Sequence, residues 1–187
     1  RFESNQQRLA VDVTAYYNIY VNLTGYVAGP SRFETSPAPP HVLVAPLTLQ
    51  NNDAAKSYGT EISVQWRAME QWKFVAGYTW LHLRAHVDQS LEGGSPQHQF
   101  NIRSYLDLPR EVQIAAAAFY VDRLPTLNIP AYLRLDLGLT WHATKSLELG
   151  VWGQNLLDRQ HPEATTNSSS LRTEIPRSVT GRATWRF

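Results

Sequence analysis

Residues 133 to 141 read Leu-Arg-Leu-Asp-Leu-Gly-Leu-Thr-Trp. Leu133, Leu135, Leu137, Leu139 and Trp141 fall on one side of this segment, and Arg134, Asp136, Gly138 and Thr140 on the other. A helix would scatter such a pattern around its axis. A strand with one apolar face requires it, because successive side chains point to opposite faces.

The same period of two recurs along the chain. Leu9, Val11, Val13, Ala15, Tyr17, Ile19 and Val21 oppose Asp12, Thr14, Asn18 and Asn22. Ile62, Val64 and Trp66 oppose Glu61, Ser63, Gln65 and Arg67, and Phe100 and Ile102 oppose Gln99, Asn101 and Arg103. At the carboxy end Val179, Gly181, Ala183, Trp185 and Phe187 oppose Ser178, Thr180, Arg182, Thr184 and Arg186. Together these stripes predict eight strands, at roughly 8–22, 55–68, 72–86, 97–108, 111–122, 131–143, 146–155 and 175–187, and no helix. Arg1 to Glu3, followed by Ser4 to Gln7, reads as the tail of an earlier strand and a turn.

The connections alternate in length. Those around Met69 to Gln71, Pro109-Arg110 and Ala143 to Lys145 are tight. The others, at about 23–54, 87–96, 123–130 and 156–174, are long and hold most of the prolines and paired glycines. Short turns at one end and long links at the other mark an antiparallel meander whose two ends face different surroundings.

Alternation does not say whether the apolar face looks inward or outward, but the polar face does. It carries Asp12, Glu61, Arg67, Arg103, Asp107, Arg134, Asp136, Glu148, Arg182 and Arg186. A dry interior would have to pair every one of these charges; a wet lumen would not. Strands of about eleven residues, rising about 3.4 Å each and tilted near 45°, span roughly 25 Å, the height of the apolar band of an outer-membrane barrel. Aromatics make up 11% of the chain and gather near strand ends, as a barrel anchored at two lipid interfaces needs. Trp66, Trp72, Trp141, Trp185 and Phe187 lie toward the short turns, and Tyr17, Tyr20, Trp80, Tyr120 and Tyr132 toward the long links. The longest wholly apolar run, Ile114 to Val121, is too short for a membrane helix.

Other chemistries find little support. The absence of cysteine excludes disulfides, a thiol nucleophile and thiolate metal sites. A net charge of +1 argues against a nucleic-acid partner held by bulk charge. His82 and His86 have a metal-like spacing for a helix, but on a strand they stand about 13 Å apart. His41, His86 and His161 fall in or near the long links, where a metal or haem contact is conceivable. Asp53, Asp88 and Glu92 read as solvated loop carboxylates, and nothing brings two carboxylates to a defined separation. No catalytic, cofactor-binding or metal residue is assigned, and no cofactor is expected.

Several segments carry a family likeness. Ser57-Tyr-Gly-Thr-Glu-Ile62 resembles the small-x-Gly-x-Glu strand start of TonB-dependent receptors. Trp72 to Leu81, Ser95 to Gln99, and the pair Tyr120 to Pro125 and Ile129 to Leu133 follow in the family's order. Gly153-Gln-Asn-Leu-Leu-Asp158, the most diagnostic segment, resembles the family's Asn-Leu-Leu-Asp stretch, and Ile175 to Ser178 its approach to the last strand. The terminal strand, ending on Trp185 and Phe187, is similar to the signal that outer-membrane barrels present to their assembly machinery.

The resemblance implies an all-β fold, an antiparallel transmembrane meander forming part of a 22-stranded barrel. It further implies a receptor in the bacterial outer membrane, not an enzyme, taking up a scarce ligand such as a ferric siderophore, haem or cobalamin. Expected partners are outer-membrane lipid, the remaining barrel strands, an amino-terminal plug, TonB acting through that plug, and the assembly machinery. Residues 1–187 are then expected to be a carboxy-terminal barrel segment without the plug. On that reading Arg67, Arg103, Arg134, Asp136 and Arg182 are candidate plug-facing lumen residues, and ligand contacts fall in the links at about 23–54, 87–96 and 156–174. The alternative is a complete small eight-stranded barrel with a structural or adhesive role. An outer-membrane hydrolase is a third reading, for which no site is found. In the receptor reading the chain is an open wall whose first and last strands do not meet.

Overall fold

The computed structural model describes residues 2–3, 8–34, 42–86, 92–166 and 169–187. The described residues form thirteen strands: β1 (Phe2–Glu3), β2 (Leu9–Ala28), β3 (Arg32–Glu34), β4 (Val42–Val44), β5 (Leu47–Met69), β6 (Trp72–Ala85), β7 (His98–Leu108), β8 (Val112–Val121), β9 (Tyr132–His142), β10 (Leu147–Gln154), β11 (Gln160–Thr166), β12 (Ser169–Pro176) and β13 (Ser178–Trp185). A single 3-10 turn at Pro125–Leu127 is the only helical element among the described residues.

Nine strands make one antiparallel sheet in the order β1-β2-β5-β6-β7-β8-β9-β10-β13. The eight expected strands are its eight long members, and the expected tail of an earlier strand is β1, pairing Phe2 with Val11 and Glu3 with Ala10. Residues 4–7, the expected turn after it, lie outside the described residues. The sheet is open, with β1 and β13 at its two edges.

The register fixes the two faces. Val13 stands opposite Ile62, Ile62 opposite Tyr78, Tyr78 opposite Phe100, and Phe100 opposite Tyr120. Ile114 then faces Leu139 and Leu139 faces Val151. Along these rungs one side of the wall is therefore apolar, and it is left uncovered: Ile19, Val21 and Val179 are 62, 67 and 70% exposed. In water such a surface would drive association; in lipid it is the required exterior. The buried apolar residues among those described are only Ala55, Ala115, Leu124 and Ile129, so the wall has no interior core of its own. Its rigidity comes from the backbone ladder.

The tight turns have local causes. Arg110 and Glu111 take left-handed φ of 67° and 58°, and the His142 amide donates to Glu111 O at 3.0 Å. Between β9 and β10, Thr144 Oγ1 accepts the amides of Ser146 and Leu147 at 3.2 and 3.0 Å, closing the turn with a side chain.

Two long links are not loops. The expected link 23–54 is largely strand, because β2 and β5 run 20 and 23 residues and stay paired as far as Ala28 with Leu47. At about 3.4 Å per residue and a 45° tilt, β5 rises roughly 55 Å, twice the apolar band. The alternation does continue there, but register shifts between Tyr20 and Gly25, with Asn22 in a left-handed conformation at φ 58°, interrupt its phase. A small hairpin, β3–β4, pairs Arg32 with Val44 beyond that point. The expected link 156–174 likewise contains the hairpin β11–β12, which pairs His161 with Ile175. Residues 35–41 and 87–91, with His41 and Asp88, lie outside the described residues.

Two expected solvated carboxylates are instead structural. Asp53 is 3% exposed, and its Oδ1 accepts the Ala54 amide. Glu92 Oε1 accepts the Ala85 amide at 2.9 Å, capping the free end of β6. Both satisfy backbone donors at points where the ladder is irregular or ends.

Candidate functional site

The polar face gathers its best-ordered chemistry at the end that carries the long links. Arg134, on β9, reaches along its own strand to Asp136: Nε donates to Oδ1 at 2.9 Å and Nη2 to Oδ2 at 2.7 Å. This forked pairing fixes both planes. Asp136 Oδ1 accepts a further bond, from the amide of Asn155 at 2.9 Å. Asn155 lies just past β10 and is fully buried, with φ at 53°. Asparagine tolerates that left-handed conformation better than most residues.

The Asn155 side chain then bridges outward. Its Nδ2 donates to Ile175 O at 2.9 Å, and its Oδ1 faces His161 Nδ1 at 3.1 Å. His161, on β11 and 4% exposed, places Nε2 3.2 Å from Glu163 Oε1. Both ring nitrogens thus face side-chain oxygens. Tyr132 stacks on His161 with ring centroids 4.2 Å apart and directs its hydroxyl to Glu163 Oε1 at 3.5 Å. The chain of contacts runs without a break from the barrel strand β9 to the hairpin β11–β12. It carries no nucleophile beside a base; what it provides is a fixed polar platform joined to an outer hairpin.

The candidate lumen residues share the polar face but divide into separate groups. Arg103 and Arg134 both lie over the ring of Phe119, at 5.7 and 5.5 Å. Arg182 sits at the short-turn end, 2.5 Å from Glu148, whose second oxygen lies 3.4 Å from His142 Nε2 and 3.6 Å from Arg186. One carboxylate there meets two guanidinium groups and an imidazole and ties β9, β10 and β13 together. Arg67 is exposed on the same rim, beside the β5–β6 turn, its amide bonded to Arg8 O. Trp185 closes β13 opposite Leu147, and Phe187 stands beyond it, fully exposed. Tyr20 and Tyr132, grouped by sequence with the belt aromatics, instead contact lumen-side groups: Tyr20 meets Ser57 Oγ at 3.5 Å, and Tyr132 meets His161 and Glu163.

Two further features of this face were not singled out from sequence. Tyr16 lies across Gly59, where a Cβ would come within 2.5 Å of its hydroxyl and 2.2 Å of Trp80 O. Trp152 lies across Gly138, where a Cβ would meet the indole at 2.4 Å. In both, an aromatic ring covers a glycine directly opposite on the next strand. The Asn155 bridge had a signal, since it falls in the Gly153–Asp158 segment. Its partner His161 had none.

A profile of the family described as "TonB dependent receptor-like, beta-barrel" matches residues 2–156. The probable TonB-dependent siderophore receptor PiuA of Acinetobacter baumannii is 23% identical over 163 residues, covering 76% of this chain and 21% of that protein. The crystal structure of A. baumannii PiuA superposes with a TM-score of 0.74 at 18% identity, over 98% of this chain and 27% of PiuA. The closed form of the ferric-catecholate import receptor Fiu from E. coli K12 gives 0.72 at 17% identity, over 100% and 26%. FpvA of Pseudomonas aeruginosa PAO1, bound to pyoverdine, gives 0.70 at 16%, over 99% and 28%. The chain thus spans about a quarter of the length of these relatives. An open antiparallel wall, an uncovered apolar exterior and a charged inner face agree with that profile: the chain belongs to the β-barrel family of TonB-dependent receptors, which are outer-membrane receptors and not enzymes.

Proposed function

We propose that this chain is the carboxy-terminal part of the barrel wall of an importer for ferric siderophores. The observation that carries the reading is the platform from Arg134 through Asp136, Asn155 and His161 to Glu163, which joins the lumen face to an outer hairpin. A receptor that admits a bulky polar ligand from the long-link side needs such a fixed junction between its wall and its outer segments. The names of the relatives favour iron chelates: a siderophore receptor, a ferric-catecholate import receptor and a pyoverdine receptor. In this reading the lumen holds a plug supplied by the rest of the receptor. Arg67, Arg103 and Arg182 face it, TonB acts through it, and Trp185 with Phe187 directs assembly.

The test is growth of an iron-starved strain lacking the full-length receptor, supplied with single ferric siderophores of the catecholate, hydroxamate and mixed classes. Restored uptake of labelled iron from one class on re-expression supports the reading. Equal uptake with and without the receptor, for every class, removes it.

A further inference from the structure

Lys56 and Arg84 stand directly opposite each other across β5 and β6. Both are on the lipid-facing side. Steps of two from Ile62 reach Lys56 through Thr60 and Tyr58, and steps of two from Trp80 reach Arg84 through His82. Two cations directly opposite on one face repel. Both are exposed, and among the described residues neither forms an ion pair with a carboxylate.

The pair is also positioned. Arg84 Nε donates to His82 Nε2 at 2.9 Å, and the His82 ring sits 4.9 Å from the ring of Tyr58. One of five guanidinium donors is used in this bond, and four remain. Beside the cations lies a cavity of about 420 Å³, whose lining includes Ile19, Val21, Lys56, Arg84, Ala85 and His86.

Height identifies the surroundings. Arg84 is twelve residues above Trp72, at the start of β6. At about 3.3 Å per residue and a 45° tilt it lies roughly 28 Å up the wall, just past an apolar band of about 25 Å. Tyr58, in ring contact with both Tyr17 and Trp80, sits with them immediately below as the interfacial belt. Lys56 and Arg84 are therefore at headgroup level on the long-link side, which in an outer-membrane barrel is the external leaflet. That leaflet is a phosphorylated glycolipid, lipopolysaccharide.

We propose that Lys56 and Arg84 form a clamp for a phosphate of this glycolipid, with the neighbouring cavity receiving the headgroup. An anion between the two cations turns their repulsion into attraction, and the guanidinium fork matches phosphate geometry. His82 acts as a positioning residue, holding Arg84 in place.

The test uses the full-length receptor, purified from outer membranes and delipidated, with lipopolysaccharide in mixed micelles. The same lipid after enzymatic removal of its phosphates, and inorganic phosphate alone, serve as the other probes. The parent is expected to bind the phosphorylated lipid about tenfold or more tightly than the dephosphorylated one, as two near-surface cations allow. Lys56→Gln with Arg84→Gln should abolish that preference; Lys56→Arg with Arg84→Lys, and Thr60→Gln on the same face, should keep it. Folding of each variant is checked by its heat-dependent mobility on a gel. Equal affinity of the parent for both lipids overturns the proposal, and that comparison needs no variant. A preference retained by the folded double Gln variant also overturns it. So does inorganic phosphate binding as tightly as the lipid, since that describes a site for soluble anions.

Discussion

The carboxamide of Asn155, just past β10, joins the wall to a hairpin outside the main sheet: its Oδ1 meets His161 Nδ1 at 3.1 Å, on a hairpin that among the described residues makes no ladder with the wall. Because Nδ2 of the same group is bonded to Ile175 O, on the returning strand of that hairpin, one side chain holds both hairpin strands to the barrel.

Replacing Asn155 with Ala removes both bonds and leaves buried polar partners unmet, at about 1–3 kcal/mol each. In the full-length receptor the expected result is faster trypsin cleavage at Arg177, with the barrel itself still folded. Cleavage at the parental rate would mean that the hairpin is held elsewhere.

Gly59 and Gly181 offer a matched pair. A Cβ at Gly59 would lie 2.2 Å from Trp80 O, a backbone atom that cannot swing away, whereas at Gly181 nothing lies within 4 Å. Gly59→Ala is expected to lower the yield of folded barrel and Gly181→Ala to leave it unchanged, as measured by heat-modifiable gel mobility. Equal yields would contradict the close approach of Tyr16 and β6 at this point.

Leu137, on the apolar face and 44% exposed, and Thr140, on the polar face, test the assignment of the two sides. Arg at position 137 places a charge in the apolar band at about 2–4 kcal/mol. Leu137→Arg is expected to impair assembly far more than Thr140→Arg, as judged by the amount of receptor in purified outer membranes.

Deleting Phe187 from the full-length receptor is expected to lower its surface abundance while its synthesis continues. The measurement is surface labelling against total protein. An unchanged ratio would remove any assembly role for this residue.

The strands and their sidedness were legible because a sheet with lipid on one side and water on the other writes its period directly into the sequence. Stripes such as Leu133 to Trp141 need no knowledge of distant contacts. The outer extensions of β2 and β5 were not legible, since the bulges around Asn22 shift the phase and the prolines beyond them look like the end of a strand. Arg134 and Asp136 were placed on the correct face, and their forked pairing follows from a spacing of two on one strand. The burial of His161 depends on how a separate hairpin folds back, which no local pattern encodes.

From β5 to β10 each strand of the wall is laddered to the next in the chain, and β13 joins β10 across the whole β11–β12 insertion without a break in register from Gln154–Ser178 to Leu147–Trp185. Outer segments can therefore lengthen, shorten or be exchanged while the wall keeps its pairing. The length of an outer insertion and the pairing of the wall are thus set independently in this fold.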